Sequence, residues 1–274
     1  MTATDVRTYV LGHDDAEIER LKRQSDFYAP LTVQALRFAG ITTGMRVLDA
    51  GCGAGDVSLL ISQVVGPTGE VIAVDNSPQA IATAGSRLDA LGVENVHFIE
   101  NDLATLQLDA PVDAIVGRLI LQHVSDPVAV LRNLTSSLTR SGIVLFQEFD
   151  LAVTRSEPPA PLAERMIDFV REAFARAGVD PRPGLHLSDH FRAAGLPAPE
   201  LMSLGRIEAA PARESVAMLV GVVTTLLPLI EATHVATAAE IDLPTLPDRL
   251  ASELSARQSL VFPPPLITAW TRVG

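Results

Sequence analysis

The sequence predicts an α/β protein in which helices cover both faces of a parallel β-sheet. Three observations lead to this fold class. Between residues 45 and 149, short apolar runs rich in valine and isoleucine alternate with helical stretches. The apolar runs are nearly continuous, as expected for strands that are buried on both faces. Gly66, Gly92 and Gly142 stand where a left-handed cap or turn is favoured after a helix.

The predicted strands and helices of this region follow in alternation. Strands are expected at residues 46–50, 71–75, 96–100, 112–116 and 143–147. Helices are expected at residues 55–65, 78–91 and 127–138. Crossovers between parallel strands are right-handed almost without exception, so this alternation predicts a doubly wound sheet.

The segments on either side are predicted to be mainly helical. Residues 13–38 have a helical pattern, with charges early and apolar positions later. Beyond residue 150, helices are expected at 162–177, 187–195, 212–234 and 245–257, and strands at 200–208 and 266–273. Residues 157–161 contain three prolines and are expected to form a linker, whereas the prolines at 263–265 predict a sheet edge or a bend.

Composition and charge exclude several classes of function. The chain has 274 residues, of which 47% are hydrophobic, and a net charge of −12. Because no basic cluster is present, we expect no binding to nucleic acid or to an anionic membrane surface. The single cysteine, Cys52, excludes an internal disulfide. The N-terminus lacks a signal-peptide pattern, and the most apolar stretch, 217–230, is shorter than the roughly 20 residues of a membrane span, so we expect a cytoplasmic protein.

The loop after the first predicted strand, VLDAGCGAGD, carries the strongest functional signal. Gly51, Gly53 and Gly55 recur at a spacing of two, which suits a sharp turn whose main chain touches a ligand. Asp56 stands where the dinucleotide fingerprint G-x-G-x-x-G requires its last glycine. Asp49 adds a carboxylate, which repels a pyrophosphate and attracts an ammonium group. The loop therefore favours S-adenosylmethionine, which carries an ammonium and a sulfonium but no phosphate, over NAD.

The segment DAGCGAG resembles the D/E-x-G-x-G-x-G loop of class I S-adenosylmethionine-dependent methyltransferases. The resemblance covers about residues 40–150 and is greatest to the small-molecule enzymes related to ubiquinone and menaquinone biosynthesis. It implies a Rossmann-like, mostly parallel seven-stranded sheet with an antiparallel last strand. It also implies S-adenosylmethionine as the cofactor.

The resemblance implies roles for residues that follow the next predicted strands. Asp75 would accept hydrogen bonds from both ribose hydroxyls, with Asn76 beside it. Asp102 would accept from the adenine amino group, and Leu103 would present its backbone to the ring. Arg118 would lie beside the methionine end of the cofactor.

The N-terminal helix supplies further candidates for the cofactor site. Related enzymes fold this region over the cofactor, which places Gln24, Phe27 and Tyr28 among the expected contacts. An aromatic face near the sulfonium would gain a cation–π interaction. The alternative is that Phe27 and Tyr28 only pack the helix against the protein.

Candidate catalytic groups lie beyond the fourth and fifth predicted strands. His123 follows the fourth strand, and an imidazole can take a proton at neutral pH. Glu148 and Asp150 follow the fifth strand and could face the methyl acceptor. The alternatives are a structural role for His123 and plain solvent exposure for the two acids. The spacing of His123, Glu148 and His186 matches no metal-ligand motif, so we expect no metal.

The resemblance and the later helices together predict three domains. These are an N-terminal helical lid (1–40), a cofactor-binding core (41–150), and a helical cap with the final strands that complete the sheet (151–274). Because residues 214–230 contain few charges, a hydrophobic or aromatic acceptor is favoured. The apolar surface of the cap could instead form a homodimer interface.

Three functions remain open at this stage. The favoured one is methyl transfer to an oxygen, nitrogen or carbon atom of a small molecule. The second is binding of S-adenosylmethionine without methyl transfer, because the same pocket residues would serve it. The third, an NAD-dependent oxidoreductase, is disfavoured by Asp56 in the place of a glycine.

Overall fold

A computed structural model of the protein describes residues 15–274, with side chains from residue 22 onwards. Its strands are β1 (Arg46–Ala50), β2 (Glu70–Asp75), β3 (Val96–Glu100), β4 (Val112–Arg118), β5 (Leu138–Phe149), β6 (Arg155–Glu157), β7 (Glu200–Leu204), β8 (Glu208–Ala209), β9 (Leu260–Phe262) and β10 (Leu266–Arg272). Its α-helices are α1 (Asp15–Ala39), α2 (Asp56–Val65), α3 (Pro78–Ala90), α4 (Pro127–Thr135), α5 (Pro161–Ala177), α6 (Leu187–Ala194), α7 (Arg213–Ala232), α8 (Ala238–Ile241) and α9 (Leu246–Arg257).

Seven strands form one sheet in the order β3-β2-β1-β4-β5-β10-β7. Strand β1 pairs in parallel with both β2 and β4, so that Leu48 lies between Ile72 and Ile115. The last strand runs antiparallel to the mostly parallel remainder, and the predicted fold class is confirmed. The strand order reverses at β1, and ligands bind beyond the carboxyl ends of strands at such a switch point.

The described residues divide into two compact units, each built from three separate segments of the chain. The sheet unit contains residues 28–148, 183–203 and 266–274. The helical unit contains residues 149–182 and 204–265 together with the described part of the N-terminal segment, which ends at Phe27. The division into lid, core and cap stays a prediction, and residues 1–14 of the predicted lid lie outside the described residues.

The sheet unit has a core of aliphatic side chains beside two phenylalanines. Leu48, Ile115 and Leu131 are fully buried in one cluster with Phe146 and Phe191. The two rings meet edge to face, with their centroids 6.3 Å apart. This packing fixes β1, β4 and β5 relative to one another and so sets the positions of the loops at their ends.

The helical unit packs α5, α7 and α9 around a second core. Met166, Val223, Ile230 and Leu250 are among its fully buried members. Within the described residues, α7 is the one helix long and apolar enough to cross a membrane, with a mean hydropathy of 1.9, and only 22% of that stretch is buried. The core helix of a soluble protein passes the same test. The length argument against a membrane span is nevertheless wrong, because α7 extends over 20 residues.

Short strands account for several errors in the predicted elements, whereas β5 is longer than predicted and begins where the helix at 127–138 was expected to end. The strand expected at 200–208 is two strands, because β7 joins the large sheet while β8 pairs with β9 in a second sheet ordered β6-β9-β8. The linker expected at 157–161 begins inside β6, which pairs antiparallel with β9. The prolines at 263–265 mark a bend rather than an edge, since β10 lies between β5 and β7.

Candidate cofactor-binding site

The glycine loop connects β1 to α2 through three residues in the left-handed region. Gly51, Gly53 and Gly55 have φ values of 73°, 52° and 80°. Residues other than glycine are strained at these positive φ values, which explains why glycine occupies all three positions. The backbone then enters α2 at Asp56.

The three glycines serve different purposes. A Cβ atom at Gly51 would lie 2.5 Å from the Ile120 side chain, and one at Gly55 would lie 3.1 Å from Ala84 and Leu88. A Cβ atom at Gly53 would meet no atom within 4 Å. Gly51 and Gly55 therefore permit close packing within the protein, whereas Gly53 faces open space in which a ligand could approach the main chain.

Asp49 places a buried carboxylate under this loop. Its side chain is fully buried, and its Oδ2 accepts a hydrogen bond of 2.6 Å from the Ser58 hydroxyl. Burial raises the pKa of Asp49 to about 7, against the opposing effect of the Ser58 hydrogen bond. Its Oδ1 has no partner among the described residues. Since buried polar atoms are nearly always hydrogen-bonded in native proteins, this oxygen fits the ammonium group that the sequence predicts as its ligand.

Asp75 connects the end of β2 to the glycine loop. Its Oδ2 accepts from the Gly53 N–H at 2.9 Å, and its Oδ1 accepts from the Ser77 N–H at 3.0 Å. An ionised carboxylate has about four acceptor positions, so both oxygens can still accept from ligand hydroxyls. Asn76, the next residue, is exposed. The carboxylate is thus fixed in orientation by the same loop that would hold the ligand.

Asp102 and Leu103 follow β3 in a tight turn. Asp102 is exposed, and its Oδ1 accepts from the Ala104 N–H at 2.8 Å. Leu103 is buried, and its carbonyl accepts from Asn133 Nδ2 at 2.9 Å. Because this carbonyl is occupied, the N–H is the backbone group of Leu103 that could meet an adenine ring.

Arg118 links β4 to the part of α1 that belongs to the sheet unit, which also contains Tyr28. Arg118 ends β4 and donates from Nη1 to the Thr32 hydroxyl at 3.2 Å. Burial lowers the pKa of Arg118, while the charges of Asp56 and Asp49 act in the opposite direction. Tyr28 is buried one helical turn from Thr32 and therefore lies on the same face of α1.

Three supporting residues were missed by sequence reasoning. Ser58 binds Asp49, and Thr32 binds Arg118, as described above. Arg87 of α3 pairs with Asp56 and donates to the Ala54 carbonyl at 3.2 Å. Each partner is remote in sequence or has an ordinary residue type, so spacing alone gives no signal for these contacts.

Glu148 and His123 lie together at the ends of β5 and β4. Glu148 is buried, and its Oε1 accepts from the Leu121 N–H at 2.7 Å. Burial raises the pKa of Glu148 to about 8, although hydrogen bonds from backbone N–H groups oppose the rise. Glu148 therefore holds the short helical turn Leu121–His123, on which the exposed His123 stands. Desolvation lowers the pKa of His123, so its imidazole is mainly neutral at pH 7.

The other predicted candidates occupy separate places. The carboxylate of Asp150 caps the turn Leu151–Val153 by accepting from the Ala152 N–H at 3.0 Å. The rings of His186 and His190 lie 6.2 Å apart. In the part of the chain that the structure describes, no three His, Cys, Asp or Glu side chains are grouped so that they could hold a metal ion.

Several known proteins similar to this chain are methyltransferases. A family model described as a methyltransferase domain matches residues 41–174. The ubiquinone/menaquinone biosynthesis C-methyltransferase of Pseudomonas savastanoi pv. phaseolicola is 32% identical over 142 residues, which are 51% of this chain and 53% of that protein. Residues 41–174, just under half of the chain, therefore resemble the methyltransferase domain of the class I S-adenosylmethionine-dependent methyltransferases.

Two further comparisons define what this chain shares with its relatives. The malonyl-[acyl-carrier protein] O-methyltransferase of Bacillus anthracis is 35% identical over 107 residues, 39% of this chain and 38% of that protein. The chain thus spans about half, or less, of the length of these curated relatives. A SAM-dependent methyltransferase from Aquifex aeolicus has a TM-score of 0.52 at 20% identity and shares the fold over 70% of this chain and 93% of its own.

S-adenosylmethionine is the cofactor of these methyltransferases, and the sheet unit of this chain fits it. The open space at Gly53 admits a ligand to the main chain. The unpartnered Oδ1 of Asp49 suits an ammonium group. Both features agree with the ligand that the glycine loop predicts.

Proposed function

We propose that this chain moves a methyl group from S-adenosylmethionine to an oxygen, nitrogen or carbon atom of a small metabolite. The observation that carries the proposal is the buried Asp49 carboxylate, whose Oδ1 has no partner among the described residues and which lies under a glycine loop. The curated relatives, a C-methyltransferase and an O-methyltransferase, support transfer as the activity.

We assign the cofactor contacts to the residues that the sequence predicts. Asp49 would hold the ammonium group, and Gly53 would present its main chain. Asp75 would take the ribose hydroxyls, with Asn76 beside it. Asp102 would take the adenine amino group.

The remaining contacts complete the same site. Gly51 and Gly55 would shape the loop, and the Leu103 N–H would face the adenine ring. Arg118, fixed by Thr32, would lie at the methionine end. Tyr28 would contribute an aromatic face.

The protein mainly has to position and desolvate the reactants. When bound, S-adenosylmethionine supplies an activated methyl group that a nucleophile can take by in-line displacement. Alignment of the reactants contributes up to about 7–11 kcal/mol in the best intramolecular cases. A base is needed only for an acceptor that must lose a proton.

His123 is the proposed base for such an acceptor. Its lowered pKa keeps the imidazole neutral, and therefore able to accept a proton, at pH 7. Glu148 was predicted to be catalytic, but its carboxylate is buried and accepts from the Leu121 N–H. We therefore propose that Glu148 positions the turn that carries His123.

The acceptor is proposed to be a small molecule with an apolar or aromatic body. This follows from the scarcity of charge in residues 214–230. The net charge of −12 argues against nucleic acid and an anionic membrane surface as partners. A cytoplasmic location and a homodimer through the apolar helices remain further proposals.

Transfer of an isotopically labelled methyl group tests the proposal. The full chain is incubated with labelled S-adenosylmethionine and a metabolite extract, and the small-molecule products are analysed by mass spectrometry. A labelled product that the His123→Ala variant forms more slowly is expected. Tight binding of adenosylhomocysteine without any labelled product would instead favour a binding protein.

A further inference from the structure

The helical unit contains a cavity of about 590 Å³ whose lining is largely charged. Three arginines, two acidic residues and an aromatic ring contribute to its lining, namely Arg23, Arg206, Arg213, Asp26, Glu214 and Phe27. These side chains come from α1, from the segment after β7 and from the start of α7. The lining has a net charge of +1, in a chain whose net charge is −12.

Arg206 is held in a fixed position in this cavity. Its guanidinium lies 4.2 Å from the centroid of the Phe27 ring, and its Nη1 donates to the Phe27 carbonyl at 3.0 Å. Phe27 is itself buried, so it provides a firm platform. A guanidinium has five N–H donors, and those not directed at Phe27 stay available to a ligand.

Arg206 and Arg213 differ from several other arginines of the described residues. The guanidinium groups of Arg87, Arg176 and Arg192 each pair with a carboxylate. Among residues 22–274, no carboxylate lies within ion-pair distance of Arg206 or Arg213, although Asp26 and Glu214 line the same cavity.

The backbone N–H groups at the N-terminus of α7 do not themselves provide an anion-binding site. The Glu208 carboxylate accepts from the N–H groups of Glu214 and Ser215 at 3.2 and 2.8 Å. These amides are therefore occupied, and an incoming anion would have to bind the arginine side chains.

We propose that this cavity binds an aromatic small molecule through an anionic group, a carboxylate or a phosphate. Arginine favours these groups because its planar fork can donate two parallel hydrogen bonds to them. Phe27 lines the same cavity, which favours an aromatic body beside the anionic end.

Equilibrium dialysis with three aromatic probes of similar shape tests the proposal. Naphthoate carries a carboxylate and naphthyl phosphate carries a phosphate, whereas naphthamide is neutral. The full-length wild-type chain is expected to bind the anionic probes about tenfold more tightly than the amide. Inorganic phosphate should compete with them.

Three variants locate the binding in the cavity. Arg213→Gln removes no hydrogen bond or ion pair within the described residues and should reduce the preference for anions. The double variant Arg206→Gln with Arg213→Gln should abolish it. The matched control Arg192→Gln, at an exposed position of α6, should retain it in full. Unchanged affinity for adenosylhomocysteine, measured by calorimetry, verifies that each variant is folded.

Equal binding of naphthoate and naphthamide by the wild type would overturn the proposal. A preference for anions that survives in the double variant would overturn it equally. Neither result depends on turnover. A failure of the proposed methyl transfer would appear as absence of a labelled product, whatever the probes do.

Discussion

The glycine loop of the sheet unit and the cavity of the helical unit carry opposite charges. Asp49, Asp75 and Asp102 surround the loop at the ends of β1, β2 and β3, whereas Arg206 and Arg213 line the cavity. In the loop, Asp49 is held by Ser58 and its Oδ1 has no partner among the described residues. In the cavity, Arg206 is held by Phe27 and has further N–H donors for a ligand. The comparison teaches that one chain can prepare separate places for a cationic and for an anionic ligand.

The two regions also differ in their exposure to solvent. Asp49 is fully buried, whereas Arg206 and Arg213 are exposed. Charges in water are screened by salt and contribute little, while a buried charge interacts strongly. Substitutions at the loop should therefore have larger effects than substitutions at the cavity.

Replacing Gly53 by valine should cause the largest loss. The side chain would occupy the open space at a left-handed backbone position, so affinity for adenosylhomocysteine should fall by more than about a hundredfold, about 2.7 kcal/mol. Calorimetry measures the loss, and Gly85→Ala, inside α3 with 3.9 Å to its nearest neighbour, serves as the control. Normal binding by Gly53→Val would show that the ligand does not approach this part of the loop.

Replacing His123 by alanine should slow turnover of a proton-losing acceptor by about 10²–10⁴-fold while sparing cofactor affinity. In the wild type, the rate should fall as pH drops below the lowered pKa of His123, because the imidazole becomes protonated. Initial rates across pH measure this, with His97→Ala on β3 as the exposed-histidine control. Equal rates for His123→Ala and wild type would leave His123 a structural role.

Replacing Asp75 by alanine should weaken cofactor binding by about 1–3 kcal/mol, since charge-assisted hydrogen bonds to the ribose are lost. Calorimetric titration with adenosylhomocysteine measures the change. Asp109→Ala removes a highly exposed aspartate of the same unit and should have no effect. If both variants bind equally well, the ribose lies elsewhere.

Replacing Glu148 by glutamine should alter how stability depends on pH. The folded-state pKa of about 8 lies above the ordinary value of 4.5, so the folded protein holds the extra proton between these limits. The contribution of Glu148 to the free energy of unfolding is then lost as pH rises from about 5 to 8, by at most about 1.4 kcal/mol per pH unit. Urea unfolding should give a flatter pH profile for Glu148→Gln, and parallel profiles would contradict the raised pKa.

The sheet unit was predictable because its signals are local. Strand β1 and its glycine loop combine a buried apolar run with a fixed glycine spacing, and the predicted bounds of β1 and β3 agree with the structure. The second sheet was missed because strands of two or three residues have too few positions for alternation to be recognised. Long-range pairs such as Arg87 with Asp56 depend on tertiary packing that spacing does not reveal.

The site residues show the same limit of sequence reasoning. The positions of Asp49 and Asp75 beside the loop follow from strand ends that meet at one edge of the sheet. The burial of Glu148 was not foreseen, because a carboxylate at a strand end is usually solvated. The arginine cavity combines side chains from α1, from a segment beyond β7 and from α7, which no local pattern connects.

The most direct test of the proposed binding of the ammonium group by Asp49 is calorimetric titration of adenosylhomocysteine into wild type and Asp49→Asn between pH 6 and pH 8. Asp49 has a pKa of about 7, and a cationic ligand favours its ionised form. Wild-type binding should tighten as pH rises through 7 and should release a proton. The amide of the Asp49→Asn variant cannot ionise, so this variant should bind at least about tenfold more weakly at pH 8 with a flatter profile. Equal affinities and equal pH profiles for the two proteins, or tight binding of NAD with none of adenosylhomocysteine, would contradict the account.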